Sequence, residues 1–210
     1  MEKLLRNNAK HNQLKNIHLE EKRNQILRAA VKIFSQKSYF DATLEEISEA
    51  SGVKKSTIYY YFKSKLDLMM CLVEDLVDKA FEQVLTLKTE GKRKSEILGE
   101  LVENHFLLLR EKRDYLLIFE RAGYDFFRHS EVQAKFKSIF DRHRVILREA
   151  GAKVGKVETR GGMEVEGELL VRIMHAGIWG YYMDEMKKGA DLSAQVKNVF
   201  REIFTSFIKE

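Results

Sequence analysis

The stretch from Thr43 to Lys65, TLEEISEASGVKKSTIYYYFKSK, leaves its backbone few choices. Thr43 is a strong helix N-cap and Glu46, three residues on, completes a capping box, so a helix begins here with Leu44 and Ile47 turned inward. Ser51-Gly52-Val53 ends it, because glycine enters the left-handed region at almost no cost and valine then fills the angle between helices. A second short helix follows, with Ile58 and Phe62 at i and i+4 on its inner face. Lys54, Lys55, Ser56, Thr57, Tyr59 and Tyr60 are left for the open side, which therefore offers cations, hydroxyls and aromatic rings and no carboxylate. Two helices in this relation form a helix-turn-helix, and an open face of that chemistry suits the major groove of DNA.

Together with the preceding RNQILRAAVKIFSQKSYF, the segment ATLEEISEASGVKKSTIYYYFKSKLDLM resembles the DNA-binding domain of the TetR (tetracycline repressor) family of bacterial transcription regulators. The likeness covers roughly residues 22–70. It implies that Lys55, Ser56 and Tyr60 reach base edges, and that Thr57, Tyr59 and Lys65 grip phosphates. Tyr60 stands where the family often has histidine, which leaves the base preference open. Thr43 adds a capped helix N-terminus, itself a receptor for phosphate. Three consecutive tyrosines point in three directions, so one of Tyr59, Tyr60 and Tyr61 is half-buried, and the pattern does not say which.

Proline is absent from all 210 residues, and 44% of them are hydrophobic in mostly helical periodicity, which predicts an all-α chain. The predicted plan is a basic arm over 1–19, a three-helix DNA-binding domain over 20–65, and a helical regulatory, ligand-binding and dimerisation domain over 66–210. Residues 1–64 hold twelve Lys and Arg against seven Asp and Glu, the whole formal charge of +5, while residues 65–210 balance with 25 of each. The excess positive charge thus sits with the candidate head, as phosphate neutralisation requires. The arm reads either as a loose tail or as a segment that follows DNA into the minor groove.

The single cysteine, Cys71, lies in an apolar helical pattern and excludes an internal disulfide framework, in keeping with a reducing cytoplasm. Neither a signal-peptide core nor a bilayer-length apolar run stands out, so a membrane partner is not expected and the expected location is cytoplasmic. No nucleophile–base arrangement, metal-ligand spacing or cofactor loop stands out either, so the chain is not expected to be an enzyme or to carry a metal or cofactor.

The fourth helix is predicted from Ser64 to about Lys88, long enough to belong to both domains; in the family it is the lever between them. Further helices are predicted over about 93–112, 113–122, 130–150, 164–187 and 192–208, with stops at Gly123 and Gly151 and a surface connection over 151–163. The last helix carries a stripe of Val196, Val199, Phe200, Ile203, Phe204 and Phe207, and the one before it carries Leu169, Leu170, Ile173 and Met174 with small residues at Ala176, Gly177 and Gly180. These stripes either form a two-fold four-helix dimer interface, the leading reading, or close the core of a monomer. A dimer would hold two heads about 34 Å apart over successive major grooves.

Aromatic residues are dense in the larger domain. Phe106, Phe119, Tyr124, Phe127, Phe140, Trp179 and Tyr182 are the candidate wall of a cavity, with His105, His143 and His175 among them; the plainer reading is a packed core. The resemblance implies a small hydrophobic effector there, fatty-acyl or aromatic, that releases a homodimeric repressor from palindromic operator DNA. The alternative is a nucleoid-organising or division-control protein that uses the same head without an effector.

Overall fold

The computed structural model describes residues 2–118, 130–187 and 194–209, with side chains described from residue 17 onward apart from a few in 130–140 and at 186–187. The first helix, predicted from about Glu20 to Lys37, is α1 (Glu2–Gln36); it starts eighteen residues earlier and runs through the segment read as an arm. No proline or glycine interrupts that segment, so nothing in it breaks a helix already propagating. Its far half packs inward through Ile26, Ala29, Ala30 and Phe34, all buried.

α2 (Leu44–Ser51) opens on the predicted capping box: the Glu46 amide donates to Thr43 Oγ1 at 3.2 Å, and the Thr43 amide donates to Glu46 Oε2 at 3.0 Å. Gly52 closes it at φ 68°, a conformation that side chains resist. α3 (Lys55–Tyr61) follows, and Ile47, Val53, Ile58 and Phe62 seal the small core against α1. In the link from α1 to α2, Tyr39 packs against Phe34 with ring centroids 5.9 Å apart, whereas Phe40 lies outward and 47% exposed. The apolar pattern of this link predicts that both aromatics close the small core; only Tyr39 does so.

α4 (Lys65–Thr86) is capped by Ser64, whose hydroxyl accepts from the Asp67 amide at 3.0 Å. It packs on α1 at one end and on α5 (Lys94–Glu111) and α7 (Ser130–Val154) further along, so one rigid element belongs to both head and body. Residues 113–118 form the described part of α6; Gly123 lies outside the described residues. α8 (Gly167–Lys187) crosses α7, and α9 (Ala194–Ser206) packs on α5.

Gly151 does not stop a helix. It sits inside α7 at the crossing with α8, where a Cβ would fall 2.3 Å from the Glu168 Cα, and a Cβ on Gly167 would fall 2.3 Å from the Gly151 carbonyl. Two backbones touch here, and glycine on each side is what lets them.

The predicted surface connection over 151–163 is also more ordered than its composition implied. After α7 ends at Val154 the chain forms β1 (Val157–Thr159) and β2 (Glu164–Val165), and β3 (Ile208–Lys209) adds to the other side of β1, giving the order β2-β1-β3, all antiparallel. Alternation decides this: Val157 and Thr159 point inward and Glu158 outward. Ile208 joins them at 2% exposure, which ties the end of the chain to the body.

Candidate DNA-reading head and ligand cavity

The head presents α3 to solvent. Tyr59 is 50% and Tyr60 73% exposed, and Lys54 and Ser56 are exposed beside them, with Lys55 and Thr57 partly so. Tyr61 is the half-buried tyrosine: its ring meets Tyr60 edge-on at 5.2 Å and Phe62 at 6.4 Å. An exposed pair of tyrosines is costly to display without a partner and well suited to stacking and hydrogen bonding on one.

Lys55 is not bare. Its ammonium pairs with Glu45 from α2, a carboxylate that reading α3 alone overlooked. The hydrogen bond to Lys55 draws the Glu45 carboxyl below its usual range, and that to Glu45 raises the Lys55 ammonium, so both stay charged at neutral pH. The pair is exposed and screened, which makes it easy to exchange for a stronger acceptor such as a base edge or phosphate.

Two of the expected contacts have duties inside the fold. The Lys65 ammonium donates to the backbone carbonyls of Tyr39 at 2.7 Å and Ala42 at 2.8 Å, and lies 4.5 Å from the centre of the Tyr39 ring. Its three donors hold the link before α2, and burial pulls its ammonium below the usual lysine range. Thr43 engages Glu46 through both amide and hydroxyl, and Lys37 pairs with the same carboxylate. The Thr43 side of that helix N-terminus is thus held by a carboxylate of the chain itself.

Inside the body lies a cavity of about 430 Å³. Its α4 wall is Val73, Leu76, Val77, Ala80 and Val84, with Gln83; the facing walls bring Leu101, Leu108 and Leu109 from α5, Ile139, Ile146 and Leu147 from α7, and Val171 and Met174 from α8. Of the aromatic residues predicted to line it, Trp179 does. Phe106 is buried elsewhere, with its ring 5.8 Å from that of Phe200, and the Tyr182 hydroxyl donates to the Leu109 carbonyl at 3.2 Å. Phe119, Tyr124, Phe127 and the Phe140 side chain lie outside the described residues. The wall is mainly branched aliphatic, a signal present in the sequence but indistinguishable there from ordinary core.

Three histidines line the same space. His175 sits between His105 and His143, with centroids 4.9 and 4.6 Å away, and it stacks on Trp179 at 6.2 Å. Burial, followed by mutual repulsion, drives His105 down to about 4 and His175 to about 3; burial lowers His143. His105 Nε2 and His175 Nδ1 are shut from solvent without a hydrogen-bond partner, at a cost of about 1–3 kcal/mol each. Among the described residues no cluster of His, Cys, Asp and Glu has the geometry of a metal site.

On the outer side, α8 leaves Leu169 and Ile173 each 52% exposed, and α9 leaves Val199 at 47% and Ile203 at 52%. The predicted α9 stripe therefore splits. Phe204 is buried and Phe200 and Val196 pack against the core, which closes the monomer, while Val199 and Ile203 remain outside. Small residues Ala176, Gly177 and Gly180 flank this surface, and a Cβ on Gly180 would meet nothing within 4 Å.

A capped helix-turn-helix on a helical body whose long fourth helix joins both defines a DNA-binding regulator. Residues 26–70 match the family described as bacterial regulatory proteins, tetR family, and the chain is a TetR-family helix-turn-helix transcriptional regulator. It is 28% identical over 172 residues to the HTH-type transcriptional activator FasR of Mycolicibacterium smegmatis, covering 76% of this chain and 73% of that protein. In structure it resembles the fatty acid degradation regulator FadR from Bacillus halodurans, with a TM-score of 0.71, 20% identity, and 88% and 94% of the two chains covered. FadR from Bacillus subtilis, solved in complex with stearoyl-CoA, superposes with a TM-score of 0.66 at 20% identity over 87% and 97%. The chain spans from a quarter to nearly three-quarters of the length of the first curated relatives it matches. No helix among the described residues is long and apolar enough to cross a membrane.

Proposed function

We propose that the chain is a homodimeric repressor that reads a palindromic operator through α3 and leaves it when an aliphatic, fatty-acyl effector fills the body cavity. The observation that carries this reading is the continuity of α4: its first residue braces the head through Lys65, and its middle forms one wall of the cavity. A ligand that widens the space between α4 and the α7–α8 pair shifts the head, and the coupling equals the difference in its affinity for the two arrangements, typically about 1–3 kcal/mol. Within the head, Lys54, Lys55, Ser56 and Tyr60 read bases, and Thr57 and Tyr59 hold phosphates. The basic start of α1 runs alongside the DNA backbone.

The exposed faces of α8 and α9 take a second copy, since Leu169, Ile173, Val199 and Ile203 form a surface that a monomer gains nothing by displaying. The aliphatic wall favours an acyl chain over an aromatic compound, and it disfavours the effector-free nucleoid alternative, which needs no cavity. The test is a fluorescently labelled operator duplex bound to the purified protein and titrated with stearoyl-CoA. Release at a saturable, stoichiometric concentration is expected; unchanged DNA affinity with proven occupancy of the cavity would remove the switch.

A further inference from the structure

An aliphatic chain alone leaves the histidine cluster unexplained. His105, His143 and His175 reach the cavity from α5, α7 and α8, against an α4 wall that is almost wholly apolar. His105 Nε2 and His175 Nδ1 have no hydrogen-bond partner, and among the described residues neither Lys, Arg, Asp nor Glu lines the cavity. Buried imidazoles held far below their ordinary range remain neutral at physiological pH, so each carries one N–H and one bare nitrogen. A half-turn about χ2 exchanges ring nitrogens with ring carbons, so these rings can present either to the open space.

We propose that the His105–His143–His175 cluster is a recognition station for an uncharged hydroxyl carried on an aliphatic ligand. The proposal rests on the reading of the cavity as the effector site. A hydroxyl donates to a bare ring nitrogen and accepts from an N–H, which matches a neutral cluster whatever its tautomers. A carboxylate would bring a negative charge among neutral rings with no cation among the described wall residues, and a saturated chain would leave the nitrogens as they are. Asn104, next to His105 and also on the wall, can complete the hydrogen bonding.

Trp179 is the only tryptophan in the chain and stacks on His175, so its fluorescence reports occupancy directly. The full-length protein is titrated with decanol and with decanoate at about pH 8, where the acid is ionised, with calorimetry as a second readout. Decanol is expected to bind about tenfold tighter or more, and His105→Leu and His143→Leu are each expected to erase most of that preference. His105→Leu is also expected to raise the unfolding temperature of the empty protein, since it removes an unsatisfied nitrogen. Equal binding of the two probes, or a preference that survives both variants, overturns the station and leaves the effector cavity standing. Failure of both probes to bind by either readout removes the effector reading and this inference together.

Discussion

Tyr60 and Lys65 illustrate how exposure separates two residues that the motif pattern treats alike. Tyr60 is 73% exposed and contributes little to the core, so Tyr60→Ala is expected to change stability by no more than about 0.5 kcal/mol while weakening operator binding about tenfold. Lys65 holds backbone carbonyls on the link before α2, so Lys65→Met is expected to destabilise the head by about 1–3 kcal/mol in urea denaturation. Its loss of DNA affinity then follows from a loosened head, with the salt slope little changed. The histidines make a separate prediction. Their folded values of about 4 and 3 lie below the unfolded value near 6.5, so the unfolded chain takes up protons first as pH falls. The stability they allow is complete above about pH 6.5 and declines from there toward pH 4, by about 2 kcal/mol per histidine at pH 5. Thermal unfolding at pH 7.5 and 5 checks it, and His105→Leu is expected to shrink the difference.

At the scale of elements, α2 and α3 were legible because their signals are local: a capping box, a turn glycine, and an i, i+4 apolar pair act within one or two helical turns. Gly151 was misread because local rules treat glycine as a stop, whereas its task is set by Gly167, distant in sequence and touching in space. Gly151→Ala forces a Cβ into the α8 backbone and is expected to cost about 3 kcal/mol or more, read as a fall in unfolding temperature. The β1–β2 hairpin and its pairing with β3 escaped for a similar reason, since strands of two or three residues hold only through partners that the local sequence does not name. The cavity wall was half legible: Trp179 and the three histidines were identified, but the branched aliphatic residues that dominate the wall look the same whether they face a neighbour or a void. Glu45 was missed as a partner of Lys55 because the two lie on different helices.

For the whole molecule, one helix joins the head to the cavity, and in the proposed dimer the exposed α8–α9 surface supplies the two-fold pairing. Ile173→Asp places a charge in the middle of that surface and is expected to yield a monomer by sedimentation, with an unfolding temperature of the head near that of the parent and operator affinity reduced at least a hundredfold. The most direct measurement of all is selection of bound duplexes from a random pool at two salt concentrations, followed by sequencing. Enrichment of a palindrome whose half-site centres lie about one helical turn apart, with affinity falling steeply as salt rises, is the expected result. Recovery of unenriched sequence, or binding indifferent to salt, would contradict the claim that paired α3 helices read DNA.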